Sequence, residues 1–197
     1  MRVAEKVLSI DDFRSLGAFE IYKPAAVAAF AVSREARESE LDESIACDLT
    51  FKLGDLFASK TKFLRLLWLA RQPGVLPSAL MHRYAIDIAK RACERLHGEE
   101  GFADIRVSAA LSAQQAFIVG ESHARAVEPL RQAVRQAAAD HSTHGSPRAA
   151  DACAIVYAAL DEDAHEAGAE AASSYLELFP KDHAWVRAHL LELVRGW

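Results

Sequence analysis

Threonine is almost missing from this chain: it stands only at Thr50, Thr61 and Thr143 among 197 residues. Cysteine is equally scarce. Cys47, Cys93 and Cys153 lie far apart, each beside apolar residues in a helical pattern, and none forms the C-x-x-C pair of a zinc knuckle or a thioredoxin-like motif. Buried, inert thiols are expected, since a disulfide would be unusual in the cytoplasm. No apolar run approaches the roughly 18 residues that span a bilayer. The opening MRVAEKVLSIDDFRS places acidic residues where a secretory leader needs its apolar stretch. A cytoplasmic protein is therefore expected. Glycine motifs are lacking too: there is no G-x-S-x-G elbow, P-loop or dinucleotide fingerprint. Positive charge is in deficit, with 23 Lys and Arg against 28 Asp and Glu and a net charge of -5. The electrostatic footprint of a general nucleic-acid binder is absent.

What the chain has in abundance is alanine, 39 residues of it. Alanine costs least to hold in a helix. With 51% hydrophobic and 26% charged residues and a mean hydropathy of -0.01, the composition is that of a soluble globular domain. The expected fold is all-α, a compact irregular bundle of about eight helices, with stacked helical hairpins as the alternative. No segment reads as a strand. One domain over residues 1–197 is expected, or a subdomain over residues 1–60 packed on a helical core over residues 61–197.

Local signals place the helices. Ser9 caps a short first helix over residues 9–18, with Asp11 and Asp12 at its positive end. Lys23-Pro24 opens a second through residue 36. A third begins near Ser39 and Asp42 with Leu41, Ile45, Leu49, Leu53 and Phe57 in one stripe. Residues 61–71, with FLRLLWLA, are apolar on almost every side and belong in the middle of a core. Ser78 starts a helix whose stripe is Leu80, Tyr84, Ile88, Ala92 and Leu96, ended by Gly98. Residues 103–140 stay helical with a break or kink expected at 123–128, ahead of Pro129. Residues 140–147 read as the clearest loop. Ser146-Pro147 starts a helix running towards Gly168. Pro180 and Asp182 introduce the last one, with Val186, Leu190, Leu193, Val194 and Trp197 on its buried side.

Candidate chemistry is sparse. Metal-binding bundles draw ligands from Glu-x-x-His pairs at i and i+3. Two such pairs occur, Glu94 with His97 and Glu162 with His165. Against a metal site, His97 adjoins Gly98 and Glu94 falls on the outer face, so exposed histidines on charged faces are the plainer reading. No catalytic residue and no cofactor is expected.

Two acidic runs stand out. Glu35, Glu38, Glu40, Asp42 and Glu43 form the first; Asp161, Glu162, Asp163, Glu166 and Glu170 form the second, with no lysine or arginine among them. Each is either a solvated face or a docking surface for a basic partner. A further order of features spans residues 63–172: FLRLLWLA, then HRYAIDIAKRACERLHGEE, HARAVEPLRQAVRQAAAD and SPRAADACAIVYAALDEDAHEAGAEAASSYLE. This order, and RYAIDIAKR with Arg83, Ala85, Ile86, Ala89 and Arg91 above all, resembles alanine-rich helical immunity proteins of bacterial toxin systems. The resemblance implies a small cytoplasmic protein that binds and neutralises a cognate toxin without catalysis. The residues expected at such an interface are Asp161, Glu162, Asp163, Glu166 and Glu170, helped by Glu35, Glu38 and Glu40. The alternatives are a metal- or small-ligand-binding bundle, and a helical module that forms homo-oligomers. No membrane partner is expected.

Overall fold

In the computed structural model, residues 2–9, 12, 15, 50–58, 63–72, 74–120, 124–144 and 146–197 are described. The expected helices over residues 16–36, the start of the third helix, Cys47 and the acidic residues Glu35, Glu38 and Glu40 lie outside them. Among the described residues the fold is mostly helical, with eight α-helices and one pair of very short strands. The chain divides into two compact units, Met1–Gln72 with Arg187–Trp197, and Pro73–Val186.

In the first unit, a 3-10 turn over Val3–Glu5 leads into β1 (Val7–Ser9), which pairs antiparallel with β2 (Thr50–Lys52), Leu8 opposite Phe51. The strand pair corrects the expectation that a helix runs through residues 50–52. Pairing claims their backbone, Leu8 and Phe51 are buried, and the Leu53 amide donates to the Lys6 carbonyl at 2.9 Å, so helix α1 begins only at Leu53 and ends at Ala58. Ser9 and Asp12 bind each other: the Ser9 Oγ accepts from the Asp12 amide at 3.2 Å, while the Asp12 carboxylate accepts from the Ser9 amide at 2.7 Å; the rest of the helix expected over residues 9–18 lies largely outside the described residues. Those hydrogen bonds hold the Asp12 carboxyl below its usual range. Helix α2 (Phe63–Arg71) buries Phe63, Leu66, Leu67, Leu69 and Ala70, but Leu64 is 68% exposed, so it is less enclosed than its composition suggests.

The second unit is built on α3 (Ser78–Glu100), to which α4 (Ile105–Ile118), α6 (Pro147–Ala159) and α7 (Ala164–Leu178) pack; α5 (Ala124–Thr143) lies against α4 and α6. The expected stripe of α3 is fully buried from Leu80 to Leu96, joined by Met81, Ala85, Ile86 and Ala89. A helix with two buried faces is the centre of its unit. It ends two residues beyond Gly98: Gly101 takes the left-handed conformation (φ 71°) and its amide donates to the His97 carbonyl. A non-glycine residue resists that backbone, and Gly98 is not asked to adopt it.

Three further expectations are corrected. The chain turns before residue 123, where α4 ends at Ile118 and Gly120 is left-handed (φ 79°); Pro129 sits inside α5. Residues 140–143 are helical, because Arg106 binds Asp140 at 2.6 Å, His141 meets Asp104 at 3.2 Å and Thr143 Oγ1 donates to the Ala139 carbonyl. The helix from Pro147 stops at Ala159, and Gly168 lies within a second helix, α7. There a Cβ would stand 2.4 Å from Met81 Cε and 3.3 Å from the Met81 carbonyl. The glycine is an approach point for α3.

Helix α8 (His183–Gly196) follows a 3-10 turn, Pro180–Asp182. Val186, Leu190 and Val194 are buried as expected, whereas Trp197 is 44% exposed. In the second unit, Asp182 accepts from Tyr175 Oη at 2.6 Å and pairs with Arg95, whose guanidinium lies over the Phe179 ring. Trp185 packs between Tyr175 and Arg91. No helix among the described residues is long and apolar enough to cross a membrane.

Candidate functional site

Only three polar side chains of the described residues are buried: His82, Gln114 and His165. They come from α3, α4 and the first turn of α7, and Asp161 and Asp163 of the turn between α6 and α7 lie near enough to act on His82. Gln114 Nε2 lies 3.5 Å from His82 Nδ1, and the Phe117 ring meets His82 edge-on at 6.0 Å. Burial pushes the His82 imidazole below its ordinary value, against a smaller upward pull from Asp163. His82 is therefore a neutral ring at neutral pH.

The turn in front of them is the D-E-D sequence of the second acidic run. Asp163 caps α7, its Oδ1 accepting from the amides of His165 at 2.8 Å and Glu166 at 3.2 Å. These bonds hold its carboxyl below the usual range. Asp161 Oδ1 accepts from the Asp163 amide at 2.9 Å, and Asp161 Oδ2 takes Arg131 Nη2 of α5 at 2.6 Å. Arg131 lies in turn over the Tyr157 ring at 4.5 Å. Two of the five carboxylates thus build the turn. Glu162 and Glu170 are exposed, and Glu166 is half-buried.

Beside the turn is a cavity of about 150 Å³, which of the three buried polar side chains only Gln114 lines. Gln114 and Phe117 line it from α4, Val127 and Glu128 from α5, and Leu160, Asp161 and Glu162 from the turn. The Glu128 carboxylate accepts from Gln132 at 2.9 Å. This set can shelter a short apolar group, attract positive charge and offer hydrogen-bond acceptors.

The Glu-x-x-His pairs do not come together. Glu94 and His97 are both exposed, and His97 Nδ1 lies 2.9 Å from the Phe102 carbonyl beyond the end of α3. Glu162 precedes α7 while His165 is inside it and buried, so the pair does not share one helical face. Among the described residues no three His, Cys, Asp or Glu side chains converge as metal ligands. Cys93 and Cys153 are free, each thiol pushed up to about 12 chiefly by burial.

His82 and Gln114 do not appear among the sequence candidates, yet a signal for them exists. Val107, Leu111 and Gln114 fall on one helical stripe, as do His82, Ala85 and Ala89, which puts a polar side chain among core positions. Compared with protein-family models, curated proteins and solved structures, the chain matches none of them.

Proposed function

We propose that this chain is a non-catalytic protein-binding module that captures a basic surface of a partner with the carboxylates around the α6–α7 turn, and that the partner is a bacterial toxin which it neutralises. The observation behind this reading is the division of labour in the second acidic run. Asp161 and Asp163 are fixed by Arg131 and by the α7 amides, so the neighbouring Glu162, Glu166 and Glu170 stand on a rigid support beside Glu128 of another helix. Carboxylates gathered in this way accelerate encounter with a cationic partner and lose little freedom on binding.

The test is to sequence the neighbouring genes for a large secreted protein with a toxic C-terminal domain and to co-express that domain with this chain; the lack of any such gene overturns the toxin reading. Growth should be rescued by the wild-type chain, and rescue should be lost when Glu162, Glu166 and Glu170 are all changed to lysine in a variant that keeps its helical spectrum. Failure of the wild-type chain to rescue overturns the toxin reading. Stoichiometric metal in the purified protein, lost on His165→Ala, would instead favour a metal-binding bundle.

A further inference from the structure

Gln114 and His82 meet inside the second unit, 2% and 8% exposed. The Gln114 side chain presents its amide nitrogen, Nε2, to His82 Nδ1 at 3.5 Å. An amide nitrogen only donates, so Nδ1 accepts and the neutral ring carries its proton on Nε2. A second proton on this ring goes to Nδ1. It would set a donor against a donor at a place where an unmet N–H is costly. The amide holds the remedy, because a half-turn about its last side-chain bond puts Oε1 where Nε2 stands. The same two side chains thus fit together in two arrangements, one for each charge state. The neutral hydrogen bond is at the long limit of the range, so little is lost when it is exchanged for a charge-assisted one.

The surroundings set the balance between the two. From α4 the ring is met by Gln114 and, edge-on at 6.0 Å, by Phe117, neither of them ionisable; Arg106 of that helix is bound to Asp104 and Asp140 at its other end. Within α3, Arg83 is bound to Asp87 at 3.1 Å. Of α6, Arg148 is held by Glu99 at the far end of α3, and Tyr157 lies beneath Arg131 of α5, itself bound to Asp161. Asp163 and Asp161 of the α6–α7 turn favour a proton on His82, and His165 of α7 opposes it. Burial outweighs the two carboxylates, so the neutral arrangement holds at neutral pH and the charged one belongs to mild acid.

We propose that His82 and Gln114 are a proton-operated switch: the neutral ring accepts at Nδ1 from the Gln114 amide, and the imidazolium donates from Nδ1 to Gln114 Oε1 after the amide has turned over. Gln114 also lines the cavity beside the α6–α7 turn, together with Phe117, Val127 and Leu160, so the half-turn carries the charge of a buried ring to the cavity wall. The switch is independent of the docking function proposed above.

NMR spectra of the full chain between pH 7.5 and 4.5 test it. At pH 7.5 the nitrogen signals of His82 should show a bare Nδ1 and a protonated Nε2. As the pH falls, the Gln114 side-chain amide and the Val127 and Leu160 methyl signals should move with the same midpoint as the His82 ring, and His82→Gln should remove that transition. Gln114→Glu, which offers Nδ1 a carboxylate, should raise the His82 midpoint by about one pH unit, a roughly tenfold gain in proton affinity. Gln114→Leu, which removes the oxygen, should lower it by about half a unit. A purely packing role for Gln114 leaves the midpoint in place. A proton on Nδ1 at pH 7.5, Gln114 signals that ignore the His82 titration, an unchanged midpoint in both variants, or unfolding of the wild type before His82 titrates would overturn the proposal. If neither Gln114 variant folds, the movement of Gln114 with His82 in the wild type decides alone.

Discussion

A buried histidine and a helix-capping aspartate give this protein an acid-sensitive stability with two stages. His82 is held below its ordinary value of 6.5 by burial. The unfolded chain therefore binds a proton more readily than the folded one, and stability is lost as pH falls below about 6.5. Asp104 caps α4, with Oδ1 accepting from the Arg106 amide at 2.9 Å and Oδ2 from Arg106 Nη2 at 2.8 Å; these bonds lower its carboxyl from 3.8 to about 2. Its contribution is complete above the unfolded value and is lost as pH falls from 3.8 towards about 2. With a side chain only 8% exposed, the shift corresponds to about 2 kcal/mol. Denaturant midpoints measured across pH should therefore fall less between pH 7.5 and 5.5 in His82→Asn than in the wild type. Asp104→Asn should be about 2 kcal/mol less stable at pH 7 and should lose less stability than the wild type between pH 4 and 2. Parallel profiles for wild type and variants would contradict both assignments.

Among the elements, the contact between α7 and α3 is the most demanding. Gly168 faces fully buried Met81, and an added methyl would require the Met81 side chain and backbone to shift. Overpacking costs about 1–3 kcal/mol, offset by about 1 kcal/mol from replacing glycine within a helix. Gly168→Ala should thus lower the thermal midpoint by about 3 °C. The same change should cost less in a Met81→Ala background, which calorimetry of the four proteins in the cycle can measure. Stabilisation by Gly168→Ala would show that the contact yields freely.

For the molecule as a whole, local chemistry was a good guide wherever the chain decides its own structure and a poor one wherever a distant segment decides. The alanine surplus and the α3 stripe made the helical fold legible, and Ser146-Pro147 marked a true beginning. Thr50–Lys52 read as helix because their pairing partner is more than forty residues away. Gly98 and Gly168 read as ends because a glycine in sequence does not say whether it turns the chain or admits a neighbour. The site was half legible. Its carboxylates announced themselves as a charge run, but Asp161 and Asp163 proved to be parts of a turn, and Gln114 and His82 lay within helices whose composition hid them.

The burial of Cys153 gives the protein an internal stopwatch. Its side chain is fully enclosed and its thiol, pushed up to about 12, is almost wholly protonated at pH 8, so its alkylation must wait for the helices around it to separate. Iodoacetamide should label Cys153 at a slow rate set by how often the second unit opens, and half-buried Cys93 sooner, with peptide mapping reading each site individually. Equal rates would reveal that both thiols wait for one and the same opening, and the clock would then time α3 together with α6.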